Sequence, residues 1–442
     1  MVVSARKARK DLSADALFRR LHGRFDEIHD PRSGQPTISL GDALMSGFAM
    51  FSLKEPSLLA FDERRLDPND NFRDLYLIQH VPCDSQMRDI LDPIDPEQLR
   101  PAFTAVFRRL QRGKVLERFA YLEGCCLISL DGSQYFSSTK IHCASCLVKQ
   151  HRNGTVSYAH QLLGATIVHP DRKEVIPLCP EPIINQDGNS KNDCERNATR
   201  RWLHKFRQEH PHLPVLIVED ALSANAPHLQ DLRDANMHYI IGVKPGDHKY
   251  LFERLYEADA AGRTQTLTLV DRDTKILHHF RWHHAVALNE SHPNERVNVL
   301  EYWEIHADGT MQYFSWITDL TLTPDNVYHV MRGGRARCKI ENETFNTLKN
   351  QGYNLEHNYG HGDKNLSVVL ALLMFLAFLV DQVQQLCCPV FQAAWEKMHS
   401  KRHLWERMRQ LFEDFRFPSM RALLTAIVRG IERQQPVLTN SS

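Results

Sequence analysis

The sequence predicts an α/β protein with a mixed β-sheet and flanking helices, interrupted by a β-rich insertion, preceded by a helical region and followed by a helical tail. Three observations predict this class. Residues 1–120 show polar caps and amphipathic stretches with few β-branched runs. Short apolar strands begin at about residue 125, and helical patterns return at about residue 324.

The composition is that of a globular protein with room for two or three domains. The chain has 442 residues, of which 42% are hydrophobic and 24% are charged. Lys+Arg and Asp+Glu are equal at 54 each, so only the local placement of charge can indicate a nucleic-acid partner. Ten irregularly spaced cysteines and no secretory leader favour a reduced, cytoplasmic compartment.

The helical N-terminal region, residues 1–120, is patchily basic. Two basic clusters stand out, with Arg6, Lys7, Arg9 and Lys10 at the start and Arg108, Arg109, Arg112, Lys114 and Arg118 further on. The tail, residues 391–442, also carries more basic than acidic side chains. These faces either contact DNA phosphates or are simply solvated, and the sequence leaves both interpretations open.

The middle of the chain has the strand order of a ribonuclease-H-like core. The strands in "CCLISLDGSQYF", "SYAHQLLGATIVH" and "EVIPLC" follow one another, and then strand, helix and strand alternate up to "MHYIIGVKP". We predict this core over 121–259 and 321–390, with a β-meander inserted at 260–320. The apolar run at 366–380 is shorter than the ~20 residues of a membrane span, so a buried helix is predicted and a span is the alternative.

Three carboxylates from separate segments are candidates for one site. Asp131 lies in an apolar strand, where an unpaired charge is costly. Glu219 and Asp220 end a second strand and point to opposite faces, so only one can join Asp131; we select Asp220 and keep Glu219 as the alternative. A structural turn at Asp131, next to Gly132, is the competing interpretation.

The third carboxylate is Glu341, in "RARCKIENETFNTLKN". On an α-helix, Glu341 shares a face with Phe345 and Leu348, whereas Glu343 lies about 200° round the axis. Glu341 is therefore predicted to face inward and Glu343 outward. Three such acids would repel one another unless a divalent cation joined them, and hard oxygen ligands suit Mg²⁺ or Mn²⁺. An ion pair of Glu341 with Arg337 is the structural alternative.

The set Asp131, Asp220 and Glu341 resembles the DDE triad of cut-and-paste transposases from bacterial insertion sequences, in the group with a β-rich insertion before the Glu. The acids are 89 and 121 residues apart. The motif around the Glu matches at Ile340, Glu341, Phe345, Leu348 and Lys349, although Lys349 stands one residue later than usual. Cys338 and Gly334 replace the usual Trp and Tyr.

The resemblance implies metal-dependent DNA cleavage at the element ends, followed by strand transfer of the 3′-OH into target DNA. It implies two Mg²⁺ or Mn²⁺ ions held by Asp131, Asp220 and Glu341, and phosphate contacts from Arg337, Lys349 and Lys244. The expected partners are the terminal inverted repeats, the target DNA and a second copy of the chain, at the bacterial nucleoid and not in a membrane. The alternatives are a structure-specific nuclease and a domesticated DNA-binding protein on the same fold.

One further cluster, "IHCASCLVKQH", has the spacing Cys143-x-x-Cys146, with His142 and His151 beside it and His160 further along. Such residues can assemble a structural Zn²⁺ site. The spacing is not that of a standard zinc finger, and a reduced cysteine pair in a hairpin is the favoured interpretation.

Overall fold

The computed structural model describes residues 10–185 and 193–431. The predictions for Arg6, Lys7 and Arg9, and for the end of the tail from residue 432, lie outside the described residues.

The described part of the N-terminal region consists of short helices. They are α1 (Ala14–Phe25), α2 (Leu40–Leu53), α3 (Leu58–Arg64), α4 (Asn71–Tyr76), α5 (Asp84–Leu91) and α6 (Arg100–Arg112). Serine side chains cap three of them, since Ser13, Ser39 and Ser57 each accept a hydrogen bond from a backbone N–H of the first turn. The prediction of a helical N-terminal region is confirmed.

Strands and helices alternate through the middle of the chain. The elements are β1 (Cys126–Ser138), β2 (Leu147–Gln150), β3 (Val156–Val168), β4 (Ile176–Pro177), β5 (Glu181–Ile183), α7 (Glu195–Glu209), β6 (Val215–Glu219), α8 (Ala226–Asp234), β7 (His238–Gly242) and α9 (Lys249–Ala260). A meander follows, with β8 (Gln265–Val270), β9 (Leu277–Asn289), β10 (His292–Ile305) and β11 (Met311–Thr318).

The rest of the described chain is helical. It contains α10 (Val327–Arg335), a π-helix (Ile340–Phe345), α11 (Asn346–Asn350), α12 (Leu366–Cys387), α13 (Pro389–Met398), α14 (Lys401–Asp414) and α15 (Met420–Arg429). The predicted helical tail is thus present as far as the structure describes it.

The strands of the described chain form one mixed sheet in the order β2-β3-β1-β6-β7-β11-β10-β9-β8, with β4 and β5 also paired to β3. Strands β1, β6 and β7 are parallel, whereas β3 runs antiparallel to β1 and β11 antiparallel to β7. This arrangement, with helices between the parallel strands, confirms the predicted ribonuclease-H-like mixed sheet. The meander β8–β11 extends this same sheet, because β11 pairs directly with β7.

The chain divides into two compact units, 114–347 and 1–113 with 348–442. We call them the sheet unit and the helical unit. The boundary differs from the predicted one, which kept residues up to 390 with the sheet. Helix α12 belongs instead to the helical unit, where it packs against α2; a Cβ at Gly47 would lie 2.8 Å from the Leu373 side chain.

Helix α12 is long and apolar enough to cross a membrane, but 94% of its most apolar window is buried inside the protein. The prediction of a buried core helix fits this burial. Asp381 of this helix forms a buried ion pair. Lys54 Nζ lies 2.6 Å from Asp381 Oδ2, and the Tyr353 hydroxyl donates to the same oxygen. The Lys54 ammonium also lies 4.3 Å from the ring centres of Tyr353 and Trp405.

Candidate active site

Asp131 and Asp220 lie at equivalent points of neighbouring parallel strands. Strand β1 pairs with β6 in a register that puts Ser129 opposite Val218. Two residues further along each strand come Asp131 and Asp220, so alternation directs both side chains to the same face. Asp131 still lies in β1, opposite Gly164 of β3, whereas Asp220 caps the turn after β6 by accepting from Leu222 N–H at 2.9 Å.

Glu219, the alternative to Asp220, points to the other face of the sheet. It is buried, and its Oε2 lies 2.6 Å from His228 Nε2 on α8. Burial by itself lowers the pKa of His228, but the Glu219 carboxylate outweighs it and raises that pKa above its usual value. Glu219 therefore has a structural partner, and the geometry favours Asp220 as the partner of Asp131.

The segment that carries Glu341 is fastened to strands β1 and β3. The Ser129 hydroxyl donates to the backbone oxygen of Arg337 at 3.1 Å, and the buried hydroxyls of Thr166 and Thr344 lie 3.2 Å apart. Close packing continues at Gly164, where a Cβ would lie 2.6 Å from the ring of Phe345. Glu341 therefore lies at the same edge of the sheet as Asp131.

Arg337 connects two of the three candidate acids. Its guanidinium lies 3.6 Å from Asp131 Oδ2 and 2.7 Å from Glu341 Oε1. The ion pair offered as the structural alternative for Glu341 thus exists, but it also reaches Asp131. Asp131 is only 21% exposed at its side chain, whereas Glu341 is 51% exposed and opens to solvent.

The predicted inward and outward faces of Glu341 and Glu343 do not describe the structure, in which Glu343 is partly buried and Glu341 is exposed. The reason is the π-helix, where Asn346 N–H donates to Glu341 O, five residues back. An α-helical face calculation assumes a bond four residues back, so it fails in this turn.

The electrostatics of Asp131 are those of a crowded acid. Burial raises its pKa to about 7, opposed by Arg337 and reinforced by the charges of Glu195, Glu341 and Asp220. Glu341 and Asp220 are therefore both close enough to act on Asp131. Oxygen ligands that repel one another in this way match the needs of a hard divalent cation.

Glu195, in the first turn of α7, is a fourth acid that the sequence did not single out. It accepts a hydrogen bond from Gly132 N–H, and a Cβ at Gly132 would lie 2.5 Å from Glu195 Oε2. Its pKa is raised by partial burial and by the charges of Asp220 and Glu219. An acid in the first turn of a helix is common for dipole reasons alone, so its sequence position carried no functional signal.

The predicted phosphate-binding residues are dispersed. Lys244 is exposed, two residues after Gly242, and a Cβ on Gly242 would contact the backbone of Asp220, so Lys244 lies near that edge of the sheet. Lys349 forms an ion pair with Glu356 at 2.8 Å. On α6, Arg108 and Arg112 are exposed, whereas Arg109 pairs with Asp11 at 3.1 Å.

Comparisons with known proteins find a similarity in the middle of the chain. Residues 169–379 match the family model of the transposase DDE domain, a stretch that holds Asp220 and Glu341. No curated protein matches the chain. A solved piggyBac transposase synaptic complex with hairpin DNA is similar, with 11% identity, a TM-score of 0.38 and coverage of 97% of this chain and 82% of that one.

The match to the transposase DDE domain confirms the family resemblance predicted from the sequence. Residues 169–379 are thus similar to the DDE domain of transposases, the class of enzyme that the sequence predicted. Transposases of this type use divalent metal ions.

Proposed function

We propose that Asp131, Asp220 and Glu341 are the catalytic triad of a cut-and-paste transposase that cleaves at element ends and joins the freed 3′-OH to target DNA. The observation that supports this assignment most directly is the shared edge: two acids at matched positions of parallel strands, with Glu341 tied to Asp131 through Arg337. Ligand groups of open α/β sheets gather at such strand ends.

The acids fit a pair of divalent ions, which we propose to be Mg²⁺ or Mn²⁺. Asp131, Asp220 and Glu341 would hold them, and Glu195 stands beside this set. When bound, such ions activate the attacking oxygen and stabilise the leaving oxygen of an in-line displacement. The pKa of Asp131, which burial raises and the neighbouring acids raise further, agrees with this fit, because a bound cation would favour the charged carboxylate.

The chemistry requires two displacements at phosphorus. In the first, water attacks the phosphate at the element end, and the 3′ oxygen leaves as a 3′-OH. In the second, this 3′-OH attacks a phosphate of the target and displaces its 3′ oxygen. Arg337, which lies between two carboxylates, can turn its guanidinium to a non-bridging phosphate oxygen when cations neutralise those acids. Lys244 is proposed as a second phosphate contact at this edge.

We further propose that the protein acts as a homodimer on two terminal inverted repeats, at the bacterial nucleoid. Excision needs both element ends, because cutting at one end leaves only a broken chromosome.

The decisive experiment combines the protein with DNA that carries the ends flanking its gene, and follows cleavage and joining separately. Mg²⁺-dependent nicking plus strand transfer supports the proposal. Cleavage without any joining would indicate a structure-specific nuclease, and specific end binding without cleavage in any divalent ion would indicate a domesticated DNA-binding protein.

A further inference from the structure

Two cysteines and a histidine of the sheet unit converge away from the acidic edge. Cys143 and Cys146 lie in the connection between β1 and β2, and His160 lies on β3. The two Sγ atoms are 3.8 Å apart, and His160 Nε2 lies 3.4 Å from Cys143 Sγ and 3.5 Å from Cys146 Sγ. The three donor atoms thus form a small triangle.

This triangle has the size of one face of a zinc tetrahedron. With Zn–S bonds of about 2.3 Å and Zn–N bonds of about 2.05 Å, tetrahedral angles separate two sulfurs by about 3.8 Å and a sulfur from a nitrogen by about 3.5 Å. The observed separations agree with both values. A disulfide needs the sulfurs about 2.05 Å apart, so the arrangement is not that of an oxidised pair.

The local backbone supports a metal site. Cys146 N–H donates to Cys143 O at 3.2 Å, which closes a tight turn, and Cys143 N–H donates to Cys146 Sγ at 3.4 Å. A backbone N–H directed at a sulfur stabilises a thiolate, the form that binds metal. The turn therefore holds both sulfurs on one side.

The histidine is also fixed in place. His160 is 1% exposed and Cys146 2% exposed, and the ring of Tyr135 stacks on the imidazole at 5.7 Å between centres. His160 lies opposite Phe136 in the β1–β3 ladder, next to a register shift between Gln134 and Phe136. Ligands held in this way lose little freedom when a metal binds.

We propose that Cys143, Cys146 and His160 bind a structural Zn²⁺ ion that fastens the β1–β2 connection to β3. The ion stabilises the end of the β1–β3 strand pair that lies away from Asp131. This role is separate from the catalytic ions, since soft thiolates select zinc whereas the acids select Mg²⁺ or Mn²⁺. Three ligands leave one position of the tetrahedron for a further donor.

The test is the metal content of full-length protein purified without chelators. We expect about one zinc per chain, and X-ray absorption with two sulfur neighbours at about 2.3 Å. Cys143→Ser, Cys146→Ser and His160→Ala should each lose the zinc and melt at lower temperature. Two controls should keep it: Cys194→Ser, which alters an exposed cysteine, and Asp131→Asn, which alters the acidic edge.

The wild-type protein also gives a readout that does not depend on the folding of any variant. Exchange of zinc for Co²⁺ should produce the visible absorption of cobalt bound to thiolate. Metal-free wild-type protein that binds neither ion, or a Cys143–Cys146 disulfide found by mass spectrometry in protein prepared under reducing conditions, would overturn the proposal. Substitution of His142 or His151 should leave the zinc bound, because the three ligands of the triangle hold it.

Discussion

The folded protein disfavours the charged form of the Asp131 carboxyl at neutral pH. Its pKa is raised to about 7, so the folded protein holds a proton that the unfolded chain releases near its ordinary value of 3.8. The contribution of Asp131 to the free energy of unfolding is therefore largest at low pH, and it is lost as the pH rises from about 4 to about 7. A cation bound at the site reverses the effect.

The first prediction follows from that sign. In buffer without added divalent ions, Asp131→Asn should be more stable than wild type at pH 8 by on the order of 1–3 kcal/mol, and the difference should shrink at pH 5. Urea unfolding at both pH values measures it. The variant should also lose Mg²⁺-dependent cleavage. Equal stability at pH 8, with wild-type pH dependence, would contradict the crowded-acid interpretation.

The second prediction separates the triad from neighbouring acids. Asp220→Ala and Glu341→Ala should each abolish cleavage and leave end binding largely intact, because the two functions use different groups. Glu343→Ala is the matched control and should be mild, since Arg337 pairs with Glu341. Gel-shift and nicking assays on the same DNA measure both properties. Full cleavage by either triad variant would remove that residue from the site.

The third prediction concerns Glu195. If it supports the metal-binding acids, Glu195→Gln should raise the Mg²⁺ concentration needed for half-maximal cleavage several-fold, with activity largely recovered at saturating Mg²⁺. Glu253→Gln, on the exposed side of α9, is the control and should not move the metal titration. An unchanged titration in Glu195→Gln would make this acid a purely structural partner of Gly132.

At the scale of elements, the sequence predicted the strands that carry Asp131 and Asp220 well, because each contains a short apolar run directly before the acid. Alternation along β6 also limited the choice to one of Glu219 and Asp220. The π-helix could not be predicted, because a bond five residues back leaves no pattern in the sequence.

The periodicity of the sequence could not predict which distant strands and side chains pair in the folded protein. The meander β8–β11 was predicted as an insertion, but its last strand pairs with β7 and continues the sheet. Arg281, a basic residue of that segment, pairs with Asp259 and Glu301. Arg272 and Lys275, at the turn between β8 and β9, remain exposed. Glu195 was missed because its closeness to Asp131 depends on where α7 packs.

The fourth prediction tests the packing of the π-helix against β3. Gly164→Ala would place a Cβ 2.6 Å from the Phe345 ring, so the ring must shift and the segment that carries Glu341 must follow. We expect a loss of about 1–3 kcal/mol of stability and a larger fractional loss of cleavage. Phe345→Leu should partly rescue both. Gly23→Ala, in open space on α1, is the control.

At the scale of the whole molecule, the helical unit is built from both ends of the chain. The Lys54–Asp381 pair joins positions 327 residues apart, so residues 1–113 are not a separable DNA-binding module. Their deletion would expose α12. The sequence could not show this pairing, because each half is helical in its own right. DNA contact by this unit is therefore better tested with exposed arginines, such as Arg108 and Arg112 on α6, than by truncation.

The last prediction concerns assembly on DNA. If the transposase joins two ends before cutting, light scattering should give two protein chains on paired-end DNA, and end binding should weaken steeply with salt. Arg272→Ala with Lys275→Ala alters the β8–β9 turn and leaves the sheet intact, so it should weaken paired-end complexes and cleavage if this turn contacts DNA near the cut. Arg402→Ala with Arg407→Ala, two exposed residues of α14, is a charge-matched comparison that separates this turn from the basic tail. A strictly monomeric complex that cuts both ends would contradict synapsis. Unchanged binding and cleavage in the double variant would place the contact outside the β8–β9 turn.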